Sequence, residues 1–171
     1  MSKTEDVLAQ IPLFHGLNTA QLRDVGAVTR DKHCRKGEVI IREGDEGEVM
    51  YILTKGSVEV SRTVTLNMSH GNFGEVEKSI TRLDAQEYPC FGEMALLERS
   101  LRGATVTAVS DCELLEIPQD DFDHLCGQHP LIGYIVTKNM ASQLSARLRR
   151  TNQDVLKLTT ALSLALNRAR V

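Results

Sequence analysis

Residues 91–106 read FGEMALLERSLRGATV, and this segment predicts a small anion site at the junction of a strand and a short helix. Gly92 permits a tight turn of the backbone, and the helix formers after it support about one and a half turns before Ser100. The free N–H groups at the start of such a helix bind anions readily. Glu93 lies in this turn, and Arg102 follows at the head of the next predicted strand.

Glu93 and Arg102 together predict a ligand that carries both a hydroxyl and a phosphate. A carboxylate accepts a hydrogen bond from a hydroxyl, whereas a guanidinium and backbone N–H groups bind phosphate. The alternative is that Glu93 and Arg102 form an ion pair with each other at the surface, where such a pair contributes little to stability.

The sequence around this segment predicts a mainly β fold with flanking helices. From Gly37 the apolar residues alternate with polar ones, and turns that contain glycine separate the alternating runs. Many short strands at this spacing are typical of a sandwich, roll or barrel. The predicted strands cover residues 38–41, 49–53, 57–60, 80–83, 106–108 and 114–117, with a polar hairpin tip at 67–74.

Helical patterns occupy both ends of the chain. Residues 5–30 have helical periodicity that is interrupted at Pro12, and Asn18 or Thr19 can cap the second helix. Residues 120–126 form a further short helix, and Pro130 stands where a last helix begins.

The last helix is predicted to run almost to the end of the chain, which would make it roughly 60 Å long. Its apolar residues recur at intervals of three and four, with a heptad pattern from Leu148 onwards. The alternatives are a frayed surface helix and a coiled coil with a second copy, and we favour the coiled coil because nothing else in a small domain covers the stripe. The stripe consists of Met140, Leu144, Leu148, Thr151, Val155, Leu158, Leu162 and Ala165.

The composition and charge of the chain limit the classes of function that remain. The 171 residues suit one domain, and 20 Lys and Arg against 23 Asp and Glu give a net charge of −3, which disfavours wholesale binding of nucleic acid or an anionic membrane. The acidic first ten residues resemble no secretory signal, and no run is long and apolar enough to span a membrane, so we expect a cytoplasmic protein.

The four cysteines have no paired spacing, which favours reduced, buried thiols in a cytoplasmic protein. Zinc binding by His124, Cys126 and His129 is the alternative, but a closed structural site needs a fourth ligand.

The segment 91–106 resembles the phosphate-binding cassette of the cyclic-nucleotide-binding domain, and we call it the cassette. That family includes the regulatory subunit of protein kinase A, the bacterial catabolite activator protein and cyclic-nucleotide-gated channels. The resemblance extends over residues 11 to about 148. The motifs that carry it are Phe91-Gly92-Glu93, Ala95-Leu96-Leu97, Arg102-x-Ala104-Thr105-Val106, Phe14-x-x-Leu17, Gly37-Glu38-Val39-Ile40, Glu43-Gly44-Asp45, Met50-Tyr51-Ile52, Gly56-x-Val58 and Phe122-x-x-Leu125.

The resemblance implies an eight-stranded, jelly-roll-like β-roll with flanking helices, in the α+β class. It divides the chain into an N-terminal helical segment (1–36), the roll with the cassette (37–118) and C-terminal helices (119–171). Such a domain performs no chemistry and needs no cofactor; ligand binding changes the packing of its C-terminal helix.

The resemblance also implies a ligand set. Glu93 would bind the ribose 2′-hydroxyl, Arg102 the cyclic phosphate, and the N–H groups of Ala95 and Gly103 would complete phosphate recognition. Members that prefer cGMP often carry Thr at the position of Gly103, so cAMP is favoured over cGMP. The expected binding residues are Phe91, Gly92, Glu93, Met94, Ala95, Arg102, Gly103 and Ala104.

Two features depart from the family pattern. Tyr88 stands where the family commonly has glycine, and the hairpin over residues 57–85 is longer than usual. The triplet Phe73-Gly74-Glu75 repeats the start of the cassette but lacks its downstream half, so we interpret it as part of the hairpin tip.

The sequence lacks the features that two other functions require. A cupin-type metal enzyme needs a His-x-His pair, and no two of the five histidines have that spacing. A transcription regulator of the catabolite-activator type needs a helix-turn-helix after the long helix, and only 21 residues follow Arg150. This function stays an alternative only for a chain that is part of a longer protein or that acts with a partner. We interpret Arg147, Arg149 and Arg150 as a solvated face or a coiled-coil flank. We therefore expect a homodimeric receptor with an unidentified protein effector and no direct contact with nucleic acid or membrane.

Overall fold

Ten strands and four α-helices make up the described part of the chain, which comprises residues 2–69, 72–87 and 89–168 of a computed structural model. The helices are α1 (Lys3–Gln10), α2 (Thr19–Ala27), α3 (Gln119–Gln128) and α4 (Pro130–Arg168). The strands are β1 (Arg30–Cys34), β2 (Val39–Ile41), β3 (Glu46–Gly47), β4 (Val49–Lys55), β5 (Ser57–Ser69), β6 (Asn72–Asp84), β7 (Cys90–Phe91), β8 (Ser100–Leu101), β9 (Thr105–Ala108) and β10 (Cys112–Pro118).

The strands form two four-stranded antiparallel sheets and one short pair. The first sheet has the order β1-β10-β4-β7 and the second has the order β2-β9-β5-β6, while β3 pairs with β8. This arrangement confirms the expected mainly β fold with a long C-terminal helix. The described residues contain ten strands instead of the expected eight, and three of them, β3, β7 and β8, have only two residues each.

Strand β4 lies at the centre of the fold because both of its faces are buried. Tyr51 and Leu53 face the second sheet and join one apolar cluster, whereas Met50 and Ile52 belong to a second cluster beneath the helices. Successive side chains of a strand point to opposite faces, so this uninterrupted apolar run fills two cores at once.

The N-terminal helices and the first part of α4 cover the outer face of the first sheet. Phe14, Ile132 and Met140 are among the most buried side chains in this layer. Helix α2 begins at the predicted cap: the side chain of Asn18 accepts from the Gln21 N–H, and the side chain of Gln21 accepts from the Asn18 N–H, both at 2.9 Å.

Strand β1 lies within residues 1–36, which the sequence assigned to helix. Four of its five residues are polar, and only Cys34 is buried, so the alternating apolar pattern of a strand is absent. β1 pairs with β10 alone, at the edge of the sheet, where exposed polar residues are tolerated.

Strand pairing in the β5–β6 hairpin also extends closer to the turn than the sequence predicted. Asn67 pairs with Phe73, so strand pairing continues into the predicted tip, and the Phe73-Gly74-Glu75 triplet lies in β6. Residues 70 and 71 of the predicted tip, and Tyr88, lie outside the described residues.

Helix α4 is continuous over 39 residues, or about 58 Å, as predicted. Ile132, Val136 and Met140 are buried against the domain, and Leu144 packs at its edge. From Leu148, whose relative exposure is 60%, the helix projects with its apolar stripe uncovered. None of the helices within the described residues combines the length and apolarity that a bilayer crossing requires.

The turn between β4 and β5 provides a test of the fold. Gly56 has φ +88°, and a Cβ there would lie 2.4 Å from the carbonyl oxygen of Asp111, whereas Gly37 has φ +87° and open space around it. We expect Gly37→Ala to lower the free energy of unfolding by about 1–2 kcal/mol through backbone strain alone. Gly56→Ala should cost roughly 1–3 kcal/mol more, because the backbone at Asp111, just before β10, must move. Urea denaturation of both variants measures this difference, and equal losses would contradict it.

Candidate ligand-binding site

The cassette begins on a short strand that is held against β4. Phe91 in β7 pairs with Tyr51 in β4, and their rings stack with centroids 5.5 Å apart and an interplanar angle of 20°. Gly92 then adopts φ +71°, a conformation that glycine accepts without strain, and caps a 3₁₀ turn over Glu93–Leu96. The cassette turn is therefore positioned by the inner face of the first sheet.

Arg102 follows β8, and its backbone is held on both sides. Its N–H donates to the Asp45 carbonyl at 2.8 Å, and its carbonyl accepts from the Gly44 N–H at 2.9 Å. In the side chain, Nη2 donates to the Val49 carbonyl at 2.6 Å and Nη1 to the Gly92 carbonyl at 3.3 Å. Burial lowers the pKa of Arg102 from its usual value, but an arginine remains charged in a protein.

Two glycines make room for the Arg102 side chain. A Cβ at Gly47 would lie 2.6 Å from Nε of Arg102, and a Cβ at Gly92 would lie 2.7 Å from Nη1. Sequence reasoning identified Gly92 but interpreted Gly47 only as part of a turn. The signal that could have drawn attention to Gly47 is its place between two motifs that match the family, Glu43-Gly44-Asp45 and Met50-Tyr51-Ile52.

The Arg102 guanidinium lies in the wall of a cavity of about 350 Å³. This volume is near the lower end of the range for small-molecule sites. One part of the lining is apolar and another carries three carboxylates. The lining residues are Ile40, Ile41, Arg42, Asp45, Glu46, Glu48, Val49, Tyr51 and Arg102. A separate cavity of about 310 Å³ beside Cys34 and Cys112 contains no cassette residue, so we take the Arg102 cavity as the candidate site.

Glu93 does not pair with Arg102. Its side chain is largely buried, and its Oε1 accepts from Nη1 of Arg147 in α4 at 2.8 Å. This contact corrects the interpretation of Arg147 as merely a solvated or coiled-coil charge. A separation of 54 residues along the chain explains why no local spacing pattern pointed to it.

The other predicted binding residues occupy the same turn and strand. Ala95 is buried, and its N–H donates to the Gly92 carbonyl at 3.1 Å, so a phosphate would compete with that bond. Met94 and Gly103 are exposed, and Ala104 is half-buried. The structure thus brings Phe91, Gly92, Glu93 and Arg102 together, and the role of each toward a ligand remains a prediction.

The residues of the zinc alternative and the other cysteines can be located in the structure. Nε2 of His124 lies 3.0 Å from Nε2 of Gln128, and the described residues contain no group of three or more His, Cys, Asp or Glu able to hold a metal ion. Burial raises the pKa of Cys34 to about 11 and that of Cys90 to about 12. Burial also raises the pKa of Cys126, the cysteine of the zinc alternative.

Comparisons with known proteins agree with this geometry. The family model of the cyclic nucleotide-binding domain matches residues 31–129. The cyclic AMP receptor protein of Thermus thermophilus is 31% identical over 144 residues, which are 84% of this chain and 60% of the receptor. This chain therefore spans less than two thirds of that relative.

Solved structures give the same result. The Thermus thermophilus catabolite activator protein superposes with a TM-score of 0.72 at 30% identity, covering 87% of this chain and 63% of that one. The regulatory domain of Toxoplasma gondii PKA, solved with cAMP, superposes with a TM-score of 0.60 at 33% identity, covering 71% of this chain and 42% of that one. Because the family model matches more than half of the chain and its strands form the same roll, this protein belongs to the cyclic nucleotide-binding domain family.

Proposed function

We propose that the chain is a cytoplasmic receptor module that binds a cyclic nucleotide, with cAMP favoured over cGMP, and that responds through α4. The observation that carries this proposal is the half-buried Arg102 guanidinium in the wall of the cavity. Within the described residues the guanidinium forms no ion pair with a carboxylate. Its two hydrogen bonds are to the backbone carbonyls of Val49 and Gly92. A desolvated cation of this kind is stabilised by an anionic ligand.

The site also offers groups that could contact the ribose and the base of a cyclic nucleotide. Glu93 lies beside Gly92, whose carbonyl accepts from Arg102, so a carboxylate and a guanidinium flank one glycine. We propose that Glu93 takes the ribose hydroxyl and Arg102 the neighbouring phosphate. Ile40, Ile41 and Val49 offer apolar contact to a base, and Gly103 has no side chain that could bond to guanine. The Toxoplasma domain solved with cAMP supports the choice of cAMP.

The acidic part of the cavity lining predicts discrimination by charge. Asp45, Glu46 and Glu48 lie in the same cavity as Arg102. Their repulsion is weaker for a cyclic phosphate, which carries one negative charge, than for the phosphate monoester of 5′-AMP, which approaches two. We therefore propose that the site rejects 5′-AMP.

In this proposal residues 37–118 bind the cyclic nucleotide. The C-terminal helices, residues 119–171, change their packing in response and so transmit the signal. Two copies joined along the exposed seam of α4 would bury apolar side chains that the single chain leaves in water. The module itself performs no chemistry in this proposal, and it acts on a protein effector that stays unidentified.

The central test is isothermal titration of the full chain with cAMP, cGMP and 5′-AMP. We expect micromolar or tighter binding of cAMP and no binding of 5′-AMP at the same concentration. Arg102→Ala should weaken cAMP binding by roughly 10- to 100-fold or more, because hydrogen bonds to a charged group are lost. Arg150→Ala, which removes a charge from the exposed flank of α4, is the control and should bind normally. Absence of binding for both cyclic nucleotides would refute the function, as would equal affinity of the Arg102 variant.

The two glycines give an independent test of the Arg102 position. Gly47→Ala should displace the guanidinium and weaken cAMP binding by about tenfold, because no room exists for the added methyl group. The control is Gly127→Ala in α3, where a Cβ meets nothing within 4 Å. Titration and thermal denaturation of both variants separate a loss of affinity from a loss of fold. Unchanged affinity of the Gly47 variant would mean that the Arg102 position does not govern binding.

Dimerisation is tested by sedimentation equilibrium. We expect the chain to sediment at twice its mass of 19.0 kDa, and Val155→Glu with Leu158→Glu to return it to that mass. Charges in the seam would face each other across a coiled coil, whereas the control Gln153→Glu lies on the outer face of the helix. A wild-type chain that remains monomeric at tens of micromolar would contradict the proposed dimer.

A further inference from the structure

Two of the four cysteines lie directly opposite each other on neighbouring strands. Cys34 ends β1 and Cys112 begins β10, and they form the last pair in the antiparallel register of these strands. Residues that face each other in this way project their side chains from the same face of the sheet. In antiparallel sheets their Cα atoms lie about 4.5–5.5 Å apart, within the range of about 4.4–6.8 Å that disulfides span.

Both thiols are buried in the same apolar cluster. Cys34 and Cys112 are each 3% exposed, and both belong to the cluster between the two sheets. The remaining cysteines, Cys90 and Cys126, pack against the cluster beneath the helices. Burial is the main cause that raises the pKa of Cys34, and Cys112 is a further cause, which agrees with their proximity. Neither residue forms a disulfide in this structure.

A cavity gives small molecules access to this pair. The cavity of about 310 Å³ described above is lined by both cysteines, and its rim includes the exposed residues His33, Arg35 and Glu38. A water molecule takes up about 30 Å³ in the liquid, so the cavity has room for several molecules of that size. An oxidant that is only slightly larger than water can therefore reach the thiols while the sheet stays folded.

We propose that Cys34 and Cys112 are a site of reversible oxidation, at which hydrogen peroxide converts the two thiols into a disulfide between β1 and β10. In the first step a thiolate attacks a peroxide oxygen: an S–O bond forms, the O–O bond breaks, and the leaving hydroxide takes up a proton. In the second step the other thiolate attacks this sulfur: the S–S bond forms, the S–O bond breaks, and a second water leaves. Two thiols and one peroxide thus give one disulfide and two waters.

The reverse reaction needs two small-molecule thiols. They exchange with the disulfide through a mixed disulfide, restore the thiols of Cys34 and Cys112, and are themselves joined by an S–S bond. In a reducing compartment the bond between β1 and β10 would therefore be transient and would last only while peroxide is present.

The disulfide would close a loop that contains the whole candidate ligand-binding site. Roughly 80 residues from Cys34 to Cys112 include strands β2 to β9, the cassette and Arg102. A bond that closes so long a loop lowers the conformational entropy of the unfolded chain and favours the folded state. We expect the oxidised chain to keep this site folded at temperatures where the reduced chain unfolds.

The oxidation is expected to be slow. A buried thiol with a raised pKa reacts less readily than an exposed one. Sγ of Cys112 also donates to the carbonyls of Ser57 at 3.4 Å and Ser110 at 3.2 Å, and it gives up its proton when the disulfide forms. Minutes to hours of incubation are therefore the appropriate time scale for the experiment.

The first test is oxidation of the full chain by a small excess of hydrogen peroxide, followed by peptide mapping. The oxidised protein, once denatured, should have two of its four thiols left for reaction and should have lost two hydrogen atoms in mass. Trypsin should release residues 33–35 linked to residues 103–138, and dithiothreitol should separate them. Because residues 103–138 also contain Cys126, the variant Cys126→Ser is mapped as the control and should form the same link.

Thermal denaturation measures what the bond does to the fold. Oxidation should raise the Tm of the wild type and of Cys126→Ser by about 5–15 °C, and dithiothreitol should abolish the increase. Cys112→Ser keeps a donor for the two carbonyls but removes one of the sulfurs, so peroxide should not raise its Tm. The same is expected of Cys34→Ser.

Every result supports or overturns the proposal. It is overturned if the wild type keeps all four thiols under peroxide, or if the disulfide joins other cysteines or two separate chains. A link between Cys34 and Cys112 that leaves the Tm unchanged or lowers it would overturn the stabilising role. If a serine variant at either position fails to fold, the wild type and Cys126→Ser decide the question. No cyclic nucleotide is needed, so this inference and the proposed function can fail independently.

Discussion

The half-buried guanidinium of Arg102 is the constraint on which the rest of the site depends. Space for it exists because Gly47 and Gly92 lack side chains, and its orientation is fixed by the carbonyls of Val49 and Gly92. The short β3–β8 pair adjoins the backbone bonds between Arg102 and the turn at Gly44 and Asp45. Several weak local features thus combine to hold one cation in a partly dehydrated place, where an anion interacts with it more strongly than in bulk water.

Strand β4 connects this cation to the remainder of the molecule. The Val49 carbonyl accepts from Arg102, Tyr51 stacks on Phe91, and the intervening Met50 projects into the core beneath the helices. The site and the helical layer are therefore separated by the thickness of a single strand. In a close-packed interior, a displacement of side chains on one face of such a strand also displaces the side chains on its other face.

The parts of the fold that depend on local pattern could be predicted from the sequence. The Asn18 cap, the length of α4 and the apolar run of β4 each follow from neighbouring residues. Glu93 and Arg102 were identified because the cassette is a contiguous motif. β1 was missed because an edge strand of polar residues has no apolar alternation. The parts played by Gly47 and Arg147 depend on contacts between distant segments, about which spacing along the chain carries no information.

The length of α4 has a mechanical consequence. Beyond Leu144 the helix extends for a further 24 residues, a distance of about 36 Å. Within the described residues, the contact between Arg147 and Glu93 is the one hydrogen bond or ion pair that joins this part of the helix to the rest of the domain. A rigid tilt of α4 about the point where it leaves the domain, beside the cassette, would therefore move its far end much more than its near end. A tilt of about 10°, smaller than many hinge motions, would displace the far end by about 6 Å. In the proposed mechanism, a change of one or two ångströms around Glu93 would be magnified in this way to a displacement that a second helix or another protein can detect.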